Sequence, residues 1–278
     1  MDHSPKPSRA SQPMRLQPLP AFDDNYIWLL SDDDGGNPLV VDPGQAAPVL
    51  RAFANGGAPL GILLTHHHDD HIGGVPELLQ RWPELAVIAP FDERIPGATR
   101  RVRDGDQIRL GGWDFSVIEV PGHTRSHVAF HGHGLLFSGD TLFGLGCGRL
   151  FEGSPADMLG SLDRLAALPA DTLVCCGHEY TQANAAFARV VDPDNEALRR
   201  RQQDIATMRQ QGTPTLPSPL ADELACNPFL RIDAPAVLAQ VLAHAPGAPA
   251  LDARPLDGGQ DRIAAFAALR RWKDGFRA

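Results

Sequence analysis

Thr65-His66-His67-His68-Asp69-Asp70-His71 places four imidazoles and two carboxylates in seven consecutive positions, directly after the apolar run Leu60-Gly61-Ile62-Leu63-Leu64 and before Ile72-Gly73-Gly74. A chain that ends a buried strand on such a segment must either solvate these groups or bind something with them. Neutral imidazole nitrogen and carboxylate oxygen are the donors that hold borderline divalent ions such as zinc, manganese and iron. The competing reading is a solvated His/Asp loop, or a polyhistidine tract that binds metal without chemistry.

Three later segments favour the metal. Pro121-Gly122-His123-Thr124, Ser138-Gly139-Asp140-Thr141 and Cys176-Gly177-His178-Glu179 each set one potential ligand beside a glycine. Apolar stretches run ahead of all three: Phe115 to Val120, Leu135-Leu136-Phe137, and Thr172 to Cys176. A strand that ends in a glycine turn aims its last side chains at a common edge. At the end of an extended strand alternate residues converge, so His66 and His68 are expected to share one ion and His67 to point away, with Asp70 and His71 facing a second.

The rest of the chain bounds what surrounds such a site. With 278 residues, 43% of them hydrophobic, it has material for two modest cores or one large one. A net charge of −9 disfavours nucleic acid and anionic membrane surfaces as partners, so an anionic substrate needs a local basic patch. Cys147, Cys175, Cys176 and Cys226 show neither zinc-ribbon spacing nor a disulfide framework, and neighbouring Cys175 and Cys176 are expected on opposite faces of a strand. No apolar run is long enough to span a bilayer, and the first thirteen residues lack the apolar centre of a secretory signal. A cytoplasmic location follows as the simplest expectation, with residues 1–13, rich in Pro and Ser, as a disordered extension.

Between Met14 and Tyr180 short apolar runs alternate with glycine turns and helical stretches, the rhythm of an α/β layered domain. The spacing of Met158, Leu159, Leu162, Leu165 and Ala166 predicts a helix over 155–168, and 76–82 reads as another. After Tyr180 strands fade, and helices are predicted at 195–211, 234–244 and 261–274.

The pattern of Thr65, His66, His68, Asp70 and His71, followed by Gly122-His123, Gly139-Asp140 and Gly177-His178, resembles the metallo-beta-lactamase superfamily of dinuclear metal hydrolases. Asp24-Asn25-Tyr26, Cys147-Gly148-Arg149, Gly177 to Thr181, Asn227-Pro228-Phe229 and a basic C-terminal helix are similar to one branch of it, the hydroxyacylglutathione hydrolases or glyoxalase II enzymes, over nearly all of residues 14–278. The resemblance implies an α/β fold: a four-layer αββα sandwich over 14–180, followed by a small helical C-terminal domain over 181–278. It also implies that His123 completes the set of His66 and His68, that His178 completes the set of Asp70 and His71, and that Asp140 bridges two divalent metal ions. Zinc is expected, with iron and manganese accepted by the same donors. Asp70 and Asp140, with a hydroxide between the metals, would then carry the catalysis. Asp42, at the end of Leu39-Val40-Val41, is a candidate to orient a ligand imidazole, or simply to start a turn.

For such a site, water is activated by metal, since its pKa falls from about 15.7 to about 7. A thiol of pKa about 8.5 leaves as thiolate without a general acid, and no residue stands out as one, which fits a thioester better than an amide. The resemblance makes S-D-lactoylglutathione the small-molecule partner and assigns Arg149, Tyr180, Arg270 and Lys273 to glutathione. A solvated basic helix end is the alternative at 270–277, because Arg270, Lys273 and Arg277 fall on one face. Two departures stand out: Arg149 replaces the lysine of many members, and Phe151 a tyrosine of some, so weaker substrate binding is expected. A monomer is expected, with no nucleic-acid or membrane partner. Competing readings are a glutathione persulfide dioxygenase, a lactonase or other hydrolase of this fold, and a non-catalytic metal-binding module.

Overall fold

The structure, a computed structural model, describes residues 14–245 and 259–277. The extension predicted at 1–13 lies outside the described residues. The chain begins with strands β1 (Met14–Ala21), β2 (Asn25–Asp32) and β3 (Leu39–Val41), helix α1 (Ala46–Ala52), strand β4 (Gly61–Leu63), helices α2 (Asp69–Ile72) and α3 (Val75–Arg81), and strands β5 (Ala86–Pro90) and β6 (Arg100–Val102). These six strands form one sheet in sequential order, antiparallel from β1 to β3 and parallel from β3 to β6.

The second sheet is built from β7 (Gln107–Leu110), β8 (Trp113–Glu119), β9 (Val128–Gly132), β10 (Leu135–Gly139) and, after the short hairpin of β11 (Leu142–Phe143) and β12 (Gly146–Cys147) and helix α4 (Pro155–Ala166), β13 (Leu173–Cys176). Helices α5 (Thr181–Val191) and α6 (Glu196–Gln210) precede β14 (Ser218–Pro219), and α7 (Leu220–Cys226), α8 (Pro235–His244) and α9 (Gly259–Gly275) complete the chain. The sheet order is β14-β13-β10-β9-β8-β7.

Two-residue periodicity decides the layers. Leu39 and Val41 pack into a cluster between the sheets with Trp28, Leu63, Phe115 and Phe137, while Val40 between them joins Ile62, Val87 and Val49 on the outer face. Likewise Leu135 and Phe137 face the other sheet, and Leu136 faces α4 through Met158 and Leu162. Helices therefore cover both outer faces, giving the expected αββα layers. Cys175 and Cys176 depart from expectation: both lie in the inter-sheet cluster. The strand ends at Cys176, and the β10 ladder shifts register between Phe137 and Gly139, so strict alternation stops there.

The segment after Tyr180 is not strand-free. Ser218–Pro219 adds an edge strand beside β13. Phe229, Val237, Phe266 and Leu269 from the later helices share one cluster with Leu136, Met158 and Val174 of the sandwich. The helical segment thus packs on the sandwich, while Ala185, Ala188, Leu198, Ile205 and Cys226 of α5, α6 and α7 form a small cluster of their own with Leu145. Among the described residues no helix is long and apolar enough to cross a membrane.

Candidate metal centre

Four strand ends deliver the site. His66 follows β4, His123 follows β8, Asp140 follows β10 and His178 follows β13, while Asp70 and His71 sit on the single turn of α2. Close approach demands glycine at two of these ends. Gly139 adopts φ +47, and a Cβ on Gly177 would lie 2.6 Å from both Asp140 Oδ1 and His71 Cε1.

His66 Nε2 and His123 Nε2 lie 3.1 and 3.0 Å from His68 Nδ1. The other ring nitrogens fix the tautomers. Thr65 Oγ1 donates to Asp42 Oδ2 at 2.7 Å, so at 3.1 Å it can only accept from His66 Nδ1. His123 Nδ1 donates to the Arg149 carbonyl at 2.9 Å. The Nε2 lone pairs of His66 and His123 therefore converge with the Nδ1 of His68, an arrangement that a cation satisfies.

The second set is built by the same logic. Asp42 Oδ2 accepts from His71 Nδ1 at 3.0 Å, and Asp24 Oδ1 accepts from His178 Nδ1 at 2.8 Å, which turns both Nε2 atoms inward. They face Asp140, His71 Nε2 at 3.3 Å from Oδ1 and His178 Nε2 at 3.3 Å from Oδ2. His178 Nε2 is also 3.3 Å from Asp70 Oδ2, and His123 Nε2 is 3.4 Å from Asp140 Oδ2. Asp140 thus stands between the two sets. His71 Nε2 and Asp140 Oδ1 are buried without a hydrogen bond. Orphaned polar atoms cost free energy inside a protein, so these residues fit divalent cations, which would satisfy both.

The electrostatics separate the two sets. Burial, then the neighbouring imidazole of His123, pushes His68 down to about 4, and burial holds His66 and His123 down as well, so all three present neutral rings. Burial would also lower His178, but Asp140 and Asp70 outweigh it and hold the ring up to about 10; Asp140 acts similarly on His71. For Asp70, burial is outweighed by the hydrogen bond from His178, the His71 ring and Asn25, which hold the carboxyl well below the usual carboxylate range. A cation entering the second set must displace protons.

A cavity of about 500 Å³ opens from the metal ligands toward the C-terminal helix. Tyr180 stacks on His178 with ring centroids 4.7 Å apart and 6° between planes, and Phe151, 63% exposed, sets its ring edge against His68 and His123. Arg149 Nε lies 3.9 Å from Asp274 Oδ1. Lys273 lines the far side, and burial together with Arg270 lowers its pKa to about 8. The solvated-helix alternative fails at Arg270, which is 5% exposed and donates to the Cys147 carbonyl at 2.8 Å and to Asp274 at 2.9 Å.

The comparisons with known proteins agree with this geometry. A family model described as Metallo-beta-lactamase superfamily matches residues 21–178, and one described as Hydroxyacylglutathione hydrolase C-terminus matches 179–276. A hydroxyacylglutathione hydrolase of Xanthomonas campestris pv. campestris (strain B100) is 59% identical over 266 residues, 95% of this chain and 100% of the relative. The chain belongs to the hydroxyacylglutathione hydrolase family. Another member, from Xylella fastidiosa (strain M23), is 56% identical over 95% of this chain and 98% of its own. Among solved structures, the BLEG-1 B3 metallo-beta-lactamase shares the fold at TM-score 0.57 and 24% identity, covering 78% of this chain and 99% of that one. TTHA1623, in a di-iron-bound form, is 32% identical at TM-score 0.50, covering 58% of this chain and 91% of that one.

Within this chain all seven ligand candidates converge, and Asp42 touches both Thr65 and His71. His67 turns away as expected, toward Asp92 and Glu152 at 3.5 and 3.7 Å. Sequence reasoning assigned no role to Asp24 or Asn25, although their motif was noticed; Asn25 Nδ2 donates to Asp70 Oδ2 at 2.9 Å. His127, whose place in the sequence favours a core or solvent-facing histidine over a ligand, is fully buried, stacks 4.6 Å from His66 and accepts the Asp140 backbone N–H at 3.1 Å. Its spacing four residues behind His123 was the available signal.

Proposed function

We propose that this chain hydrolyses S-(2-hydroxyacyl)glutathione thioesters, S-D-lactoylglutathione foremost, to glutathione and a 2-hydroxy acid such as D-lactate, the second step of methylglyoxal detoxification. The carrying observation is that the seven-ligand set and the cation-lined cavity share one wall. His66, His68 and His123 would hold one divalent cation, Asp70, His71 and His178 the other, and Asp140 both. Zinc is the proposed ion, with iron next because TTHA1623 is described as di-iron-bound.

Bound divalent cations would bring the pKa of water toward neutrality and polarise the acyl carbonyl. The protein supplies the rest. Asp70 and Asp140 place negative charge beside the reacting groups, and His66 and His71 are themselves buried. Lys273 and Arg149 offer positive charge to the substrate carboxylates. Tyr180, whose phenol is pushed further up by burial and by Asp24, stays an O–H donor at the cavity wall. The departing thiolate is stable enough to leave without a general acid. A cytoplasmic location fits the release of glutathione as a free thiol, which a reducing compartment keeps reduced.

Purified, metallated protein should release thiol rapidly from S-D-lactoylglutathione. Absence of thiol release, with oxygen uptake on glutathione persulfide instead, would replace this reading by the dioxygenase; inactivity toward both would leave a metal-binding module.

A further inference from the structure

The β11–β12 hairpin carries Phe143 and Cys147 into the cavity wall, yet its ladder has only two residue pairs, Leu142 with Cys147 and Phe143 with Gly146. So short a hairpin does not hold its own shape in water. Leu145 at its tip adopts φ +55, unfavourable for a branched side chain. Something outside the hairpin holds it.

That support is the motif Asn227-Pro228-Phe229. Asn227 is fully buried, and its Nδ2 reaches the Gly146 carbonyl at 3.0 Å, the Phe143 carbonyl at 3.3 Å and Glu223 Oε2 at 3.0 Å. The same Glu223 oxygen accepts the Leu145 N–H at 2.7 Å. Asn227 Oδ1 accepts the backbone N–H of Phe229 at 3.0 Å, and the Phe229 ring lies 5.0 Å beneath the Arg270 guanidinium. Arg270 closes the circuit by donating to the Cys147 carbonyl at 2.8 Å. One three-residue turn therefore sets the hairpin and Arg270 against each other.

We propose that Asn227 and Phe229 are positioning residues that pre-organise the glutathione half of the cavity, acting through the hairpin and Arg270 without touching the reacting atoms. This rests on the glutathione thioesterase reading. Preorganised walls lower the ordering cost of binding, so the effect belongs in affinity for the peptide and not in the chemical step.

The test measures calorimetric affinity of the metallated protein for S-methylglutathione, which cannot be hydrolysed. It adds kcat/KM for S-lactoylglutathione and for S-lactoyl-N-acetylcysteamine, a thioester without the peptide. Asn227→Ala should weaken S-methylglutathione binding and raise KM for the glutathione thioester by about tenfold, the loss of one or two buried hydrogen bonds. Turnover of the cysteamine thioester should stay within about twofold. Phe229→Leu, which keeps the core filled but removes the ring face, should weaken binding about threefold. Val241→Ala, a buried position of α8 in the same cluster, should leave the affinity unchanged. If Asn227→Ala fails to fold, Phe229→Leu decides alone. Unchanged affinity in the folded variants, equal losses on both thioesters, or an equal loss in Val241→Ala overturns the proposal. Failure of the unaltered protein to bind S-methylglutathione overturns the glutathione reading itself.

Discussion

Asp42 Oδ2 accepts a hydrogen bond from His71 Nδ1 at 3.0 Å, and the same carboxylate holds the Thr65 backbone N–H at 2.8 Å. A carboxylate that only accepts pins the imidazole proton to Nδ1 and leaves Nε2 free for a cation. Asp42→Asn sets an amide donor against that nitrogen and favours the opposite tautomer. Metal affinity of the second set should drop by about 10- to 100-fold, read by chelator competition, and the first set should weaken too, because Thr65 Oγ1 loses the acceptor that makes it receive the His66 Nδ1 proton.

Two glycines make opposite predictions. At Gly177 any Cβ collides with Asp140 and His71, so Gly177→Ala should lower kcat/KM by about 100-fold through displaced ligands. Gly160 is an exposed residue inside α4 with nothing within 4 Å of an added Cβ. Gly160→Ala should raise unfolding free energy by about 0.5–1 kcal/mol in urea titration, with activity intact.

Lys273 should make substrate binding pH-dependent. Its pKa is lowered to about 8, first by burial and then by Arg270, so the ammonium that faces an anionic substrate is present below that pH and lost above it. KM for S-D-lactoylglutathione should rise by up to about tenfold per pH unit above 8, with kcat flat. Lys273→Arg, charged throughout, should flatten the rise. A KM that is flat through pH 9 in the unaltered protein would count against Lys273 as the contact.

Phe266 of α9 is fully buried in a cluster that also contains Leu136 and Met158 of the sandwich. Both parts of the chain should therefore unfold together. Phe266→Ala should cost about 3–5 kcal/mol and leave a single urea transition for fluorescence and circular dichroism alike. Separate transitions would mean that the helical segment, with its small cluster around Leu198 and Ile205, unfolds independently of the sandwich.

The ligands were legible because metal chemistry admits few donors and the glycine turns mark where strands stop. From that pattern His66 and His68 could be grouped and His178 marked as a candidate, its place in the second set coming from the family resemblance, and the alternation of Leu39, Val40 and Val41 told which side each of these three faces. Among the supporting contacts Asp42 was legible at the end of Val41, but others were not. Asp24 reaches His178 across 154 positions of sequence, and His127 serves Asp140 through a backbone N–H, which any residue possesses. Spacing alone left Arg270 open to a solvated helix end beside the glutathione role that the resemblance implied, because helical spacing reports a face, not what covers it; the covering groups, Phe229 and Cys147, come from distant segments. Ser218–Pro219 escaped notice as a strand since two residues carry no periodicity.

The most direct test of the account is to strip the protein of metal, titrate it with zinc, and follow thiol release from S-D-lactoylglutathione at each addition. Seven convergent ligands sharing Asp140 predict activity that climbs until about two equivalents are bound and then stops. Full turnover at one equivalent, or none at two, would contradict the dinuclear thioesterase.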